Sequence, residues 1–192
     1  TGIALDHINF SPTFENYIKE QTEVVEKIAQ RNEQNINLLL TSIDENFDKV
    51  DSKNDKEFRK CLKEKSQLLQ RSLEQMEYEL DRQLSLLRDR YKELMSADKE
   101  KFAESLKEEK LMVKNFKEKQ NSLKEQFEVM ESKYKELSKS KEDFENYLKK
   151  QKDITSKILT SQHDNLVAQL NHINTSSYNY YAFKNIKSFF KG

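Results

Sequence analysis

The sequence predicts an all-α protein, an elongated coiled coil of long helices. Three observations carry that expectation. Residues 97–151 run without a single Gly or Pro. Apolar residues recur at heptad spacing over most of the chain, the signature of a helix with one apolar stripe. The composition is also too polar for a thick core: of 192 residues, 35% are hydrophobic and 35% charged, with 2 Gly, 1 Pro and no Trp. Globular chains average roughly 45–50% apolar residues with Gly counted and about 25% charged. A thin seam along a helix needs far fewer apolar residues than a ball does. Disorder is the other route to such polarity, and the regular spacing argues against it.

The elements follow in order. Residues 1–12 form an irregular lead-in, and 13–50 an N-terminal helix. Ser11 is placed to cap it, and Pro12 suits the first helical position, where a missing N–H costs nothing. Its seam runs through Phe14, Ile18, Val25, Ala29, Ile36, Leu40, Ile43, Phe47 and Val50, in steps of 4, 7 and 3. Residues 51–57, "DSKNDKE", hold no apolar residue and carry Asp, Ser and Asn, which favour turns. They form a polar turn or linker where the first helix folds back.

Residues 58–173 then predict one very long coiled-coil helix. Its expected seam, which doubles as an oligomer seam, opens after Phe58 with Leu62, Leu69, Leu73, Met76, Leu80, Leu87 and Leu94. It continues through Phe102, Leu106, Val113, Phe116, Leu123, Phe127, Met130, Tyr134, Leu137, Phe144, Leu148 and Ile158. Polar residues fall on the seam at Glu109, Gln120, Lys141 and Gln151, where they lower stability but fix register. From Leu94 to Phe102 the series slips by one position, which locally unwinds a supercoil.

Candidate hinges lie near 96–98, where Ser96 and Asp98 can cap a new helix, and near 138–141. If both break, the chain becomes four helices of roughly similar length and folds as an antiparallel helical bundle, the alternative architecture. The absence of Gly and Pro favours continuity, giving a helix of about 115 residues, roughly 170 Å long. Asn174, Thr175, Ser176 and Ser177 are expected to end it.

The tail, 174–192, changes character. Tyr178, Tyr180, Tyr181, Phe183, Phe189 and Phe190 alternate with Lys184, Lys187 and Lys191. These aromatics are candidate partner-docking residues, for a groove or a membrane surface; the plainer alternative is that they fold back to cover the end of the coiled coil.

Formal net charge is zero, but residues 1–57 hold 6 Lys/Arg against 12 Asp/Glu, and 58–192 hold 28 against 22. That asymmetry favours an acidic first segment lying against the later chain. It is too mild for nucleic acid. A single cysteine, Cys61, excludes an intramolecular disulfide framework and reads as a small seam residue beside Leu62. No apolar run approaches the roughly 20 residues of a membrane span. The chain opens "TGIALDH" without Met, as a fragment would.

Nothing in the pattern points to catalysis, a cofactor or a metal. His163 and His172 are nine residues apart, on nearly opposite helix faces, and no i, i+4 ligand pair of the zinc-binding type occurs. Gly occurs only at positions 2 and 192, which excludes a phosphate loop. Glu pairs such as Glu108 and Glu109 read as solvated faces. Sequons at Asn9 and Asn174 carry no weight.

At class level, the length, long helices and Lys-rich faces resemble membrane-curving dimers of the BAR type. The long seam after a shorter helix is also similar to rod-forming assembly proteins of chromosome axes and the cytoskeleton. Neither class has a motif to match position by position, so neither assigns a residue a role. The expected function is a non-enzymatic, intracellular (cytoplasmic or nuclear) scaffolding coiled coil. It self-associates as a dimer or tetramer and presents its termini to protein partners; the alternative is a BAR-like membrane-binding dimer.

Overall fold

The computed structural model describes the backbone of residues 11–51, 53–94, 96 and 98–191, and the side chains of 16–17, 19–51, 53–93, 96 and 98–176. The described residues form four long helices and one short one: α1 (Ser11–Asp48), α2 (Asp55–Leu94), α3 (Lys99–Glu128), α4 (Met130–Leu137) and α5 (Lys141–Lys191). No strand occurs among them. The all-α expectation holds.

The single helix expected over 58–173 does not form; both candidate hinges break it. The reason lies in the turns. Asp98 accepts a hydrogen bond from the Lys101 N–H at 3.0 Å, a side-chain cap that starts α3. Ser138 closes α4 in a right-handed conformation, φ −66° and ψ −14°, while its hydroxyl donates to the Lys135 carbonyl at 3.1 Å. No described residue has positive φ, so neither reversal needs Gly. The first reversal falls at 49–54, slightly earlier than expected. There the Asp51 carboxylate accepts from the N–H groups of Lys53 and Asn54, at 2.8 and 3.2 Å. The Asn54 side chain answers by accepting from the Asp51 N–H at 2.6 Å and donating to the Lys49 carbonyl at 2.9 Å. Asn174 does not end a helix either, since α5 continues to Lys191.

The chain packs as two compact units, each drawing a stretch from all four long helices. Unit A comprises Thr1–Lys27, Glu79–Asn115 and Asp164–Gly192; unit B comprises Ile28–Tyr78 and Phe116–His163.

In unit B the segments run antiparallel around a common core. Asn35 bonds Ser72, Lys63 pairs with Glu131, Gln126 bonds Gln151 and Lys152 pairs with Asp44. Asn32 meets Gln162 while Asp44 meets Lys152, and Gln120 meets Gln162 while Gln126 meets Gln151, so rising numbers on one helix meet falling numbers on the other. The core holds Ile36, Leu40, Ile43, Phe47, Phe58, Leu62, Leu69, Leu73, Leu123, Phe127, Met130, Tyr134, Phe144, Leu148 and Leu159. Burying one such aliphatic or aromatic side chain is worth about 1.5–3 kcal/mol.

In unit A, Gln83 bonds Gln21, Arg88 pairs with Glu109, and His172 lies 3.4 Å from Glu108. Its buried apolar residues are Val25, Leu80, Leu84, Leu87, Tyr91, Met112, Leu166, Leu170 and Ile173. Over 99–113 burial follows the expected seam at Glu109 but moves one position back from Leu106 to Ser105 and from Val113 to Met112. Ser105, Glu109 and Met112 are buried, whereas Phe102, Leu106 and Val113 are half-buried. A helix packed against two neighbours buries a wider face than a two-position stripe. The expected residues therefore lie on the flank of that face.

Candidate functional site

The seam residues sit inside the chain's own bundle. Leu62, Leu69, Leu73, Met76, Phe116, Leu123, Phe127, Met130, Tyr134, Phe144 and Leu148 are buried within unit B, and Leu80 and Leu87 within unit A. Leu137 and Ile158 are half-buried, the centre at the second position being taken by Leu159. The helices that cover them here belong to the same chain. The Leu94 side chain lies outside the described residues. So do the lead-in over 1–10, the side chains of Phe14 and Ile18, and those of Tyr178, Tyr180, Tyr181, Phe183, Phe189 and Phe190. The backbone from 177 to 191 is helical.

The interior carries polar layers that the apolar pattern only partly announced. In unit B, Asn32 Nδ2 donates to Gln120 Oε1 at 3.2 Å and to Gln162 Oε1 at 3.3 Å. Gln162 Nε2 donates to Gln120 Oε1 at 2.9 Å and to the Phe116 carbonyl at 3.2 Å. Three helices are thus tied by one cluster of amides, all at most 4% exposed. Asn32 Oδ1 and Gln120 Nε2 find no partner there. Each orphan atom costs about 1–3 kcal/mol, so the layer fixes register at some loss of stability. A second layer joins Gln126 to Gln151 at 2.9 Å and to Thr155 at 3.2 Å. Of the polar seam positions foreseen, Glu109 and Gln120 are buried, Gln151 is half-buried and Lys141 is exposed.

In unit A, Asn174 accepts from the Tyr91 hydroxyl and donates to Thr22 Oγ1 at 2.9 Å. Burial pushes the Tyr91 phenol strongly up, with the Glu109 charge adding to it. Glu109, on the seam by its spacing although the Glu108–Glu109 pair reads as a solvated face, is 2% exposed and receives Arg88 Nη2 at 2.6 Å. Burial raises its carboxyl above the ordinary value, and the Arg88 hydrogen bond and charge pull it partly back.

One end of the unit B core is aromatic. Phe144 packs edge-on against Phe47, Phe58 and Tyr134, with ring centroids 4.9, 5.9 and 5.1 Å away. Such edge-to-face pairs add about 0.5–1.5 kcal/mol beyond area burial. Beside them lies an open cleft of about 290 Å³, lined by Phe47, Tyr134, Phe144, Asp51, Asp55 and Lys141 among others. The Tyr134 hydroxyl donates to Asp55, and its phenol is pushed up to about 12, first by burial and then by that bond. It therefore keeps its proton at neutral pH and serves as a donor rather than a base. Lys141 Nζ lies 5.8 Å from the centroid of Phe47, at cation–π distance.

Cys61 is half-buried as a seam-edge residue, and burial pushes its thiol up, away from the reactive thiolate. Among the described residues no group of three or more His, Cys, Asp and Glu is placed to hold a metal ion. No described helix is long and apolar enough to cross a membrane. Asn174, the second sequon, is 3% exposed. Compared with models of protein families, with curated proteins and with solved structures, the chain matches none.

Proposed function

We propose that this protein is a non-enzymatic helical scaffold that self-associates and presents its terminal segments to protein partners. The observation that supports this most is what its buried polar groups do. The amides of Asn32, Gln120 and Gln162, the Tyr91–Asn174–Thr22 chain and the Arg88–Glu109 pair all bind one another across helices. A general acid or base needs a proton or lone pair directed at substrate; apart from Asn32 Oδ1 and Gln120 Nε2, which are buried without a partner, these groups bond across to neighbouring helices, and so hold a fold in register.

The lysines rank the membrane-binding alternative lower. Lys60, Lys101, Lys133, Lys135, Lys149 and Lys157 each pair with a Glu or Asp three or four residues away on the same helix. Such pairing leaves little net positive potential for anionic lipid. Apolar contact points do remain on the surface. Leu38 on α1 and Leu68 on α2 are 67% and 44% exposed, and the Asn35–Ser72 bond sets their stretches side by side.

Sedimentation equilibrium over the micromolar range tests the proposal. Concentration-dependent mass growth is expected. A single monomeric mass throughout removes self-association from it. Salt-sensitive co-sedimentation with anionic vesicles would replace it with the membrane reading.

A further inference from the structure

We infer that the α4–α5 reversal at 138–140 is a hinge. It opens to join α3, α4 and α5 into one helix, and the freed α5 docks on a second copy of the chain. This rests on the self-association reading and supplies its route, since the seam is otherwise covered from within.

The heptad series passes through the reversal in phase. Leu123, Met130, Leu137 and Phe144 follow at steps of seven, as do Phe127, Tyr134, Lys141 and Leu148. Straightening the turn therefore leaves a continuous seam, interrupted only by Lys141. The α2–α3 reversal offers no such continuity. There the in-phase positions after Leu94 and Tyr91 hold Asp98, Lys101, Ser105 and Glu108.

The reversal begins from right-handed backbone. Ser138 sits at φ −66°, ψ −14°, and Val129, the one-residue gap between α3 and α4, at φ −87°, ψ −6°. The hydrogen bonds that shape the reversal are local. The Ser140 N–H donates to the Leu137 carbonyl at 3.3 Å, and the Asp143 N–H to Ser140 Oγ at 3.4 Å. A continuous helix replaces them with its own ladder. What holds α5 down in unit B comes from other helices: Gln126 to Gln151 and Thr155, Asn32 to Gln162, Asp44 to Lys152. A second copy offers all of these in identical form, which is why exchanging an element between copies is a low-cost route to a dimer. Loop closure favours the closed chain and rising concentration the open one.

Lys141 sets the balance. Closed, it is exposed above Phe47; open, it occupies a seam position. Lys141→Leu fills the open seam and is expected to tighten dimerisation at least tenfold. Lys141→Pro is tolerated at the first position of α5 but clashes inside a continuous helix, and is expected to weaken it at least tenfold. Helical content and melting of each variant are checked by circular dichroism. In a Cys61→Ser chain, Gln126→Cys with Gln151→Cys distinguishes the forms after oxidation. Opening gives covalent dimers on a non-reducing denaturing gel, increasing with protein concentration. Intrachain bridges alone, together with a dimer that neither Lys141 variant alters, overturn the hinge while leaving self-association standing. A Lys141→Leu chain that stays monomeric at every concentration overturns it as well, and a wild-type chain that does the same overturns both.

Discussion

At the residue scale, Glu109 makes the sharpest demand. Its carboxyl is buried in unit A against Arg88, and burial raises it above its ordinary 4.5. The folded chain thus holds this proton more tightly than the unfolded chain. The sign follows from linkage: the contribution to stability is full below the ordinary carboxylate value and is lost as pH rises through the folded value. Glu109→Gln keeps the shape and removes the charge, while Arg88, half exposed, can turn to water. The variant is expected to melt above wild type at neutral pH, by about 2–4 °C for each kcal/mol relieved. The gap should close on acidification, and a variant melting lower at neutral pH would show instead that the ion pair outweighs its desolvation. The heptad series flagged Glu109 and Gln120 because both interrupt an otherwise apolar seam. Asn32 carried the same signal, seven residues after Val25 and four before Ile36, yet sat at a position the sequence pattern skipped. Residue type marks Asn174 as a helix terminator, whereas its amide bridges Tyr91 and Thr22.

At the element scale, helices were legible and their ends only partly so. The apolar period marked the helical stretches, because burial of one stripe leaves its mark at every turn, but it ran α2 to α5 together as one helix and ended it before the tail. Turns leave a mark only where they need an unusual backbone. Here no described residue adopts positive φ, so Asp, Asn and Ser suffice, and the absence of Gly and Pro was uninformative. The capping residues were the available signal. Asp98, which accepts from the Lys101 N–H, is the sequence-visible start of α3. Asp98→Ala is expected to destabilise the fold by about 1 kcal/mol, with helical content almost unchanged. Urea titration followed by circular dichroism measures this, and a midpoint equal to wild type would mean that the cap satisfies nothing water does not.

At the scale of the whole molecule, a heptad seam says that a partner helix exists but not whose. An unbroken helix meeting a second chain and a chain reversing on itself bury the same side chains. They differ in loop entropy and concentration, neither of which is written in the seam. The charge asymmetry carried a little more, since the acidic first segment does meet a later basic residue, Asp44 against Lys152. The two units also differ in what they bury. Unit B gathers Phe47, Phe58, Phe127, Tyr134 and Phe144 into its core, whereas among the described residues unit A buries one aromatic side chain, Tyr91, and a charged carboxyl, Glu109. Local opening energy follows buried apolar contact. Amide exchange should therefore be slowest around Phe47, Phe58, Phe127 and Phe144. Amides around Leu84, Met112 and Leu170 should exchange at least about tenfold faster, the equivalent of about 1.4 kcal/mol in opening free energy. Hydrogen exchange read by mass spectrometry on short peptides resolves the two sets. Equal protection in both would mean that the chain opens only as a whole, and that the aromatic core of unit B adds nothing measurable to its local stability.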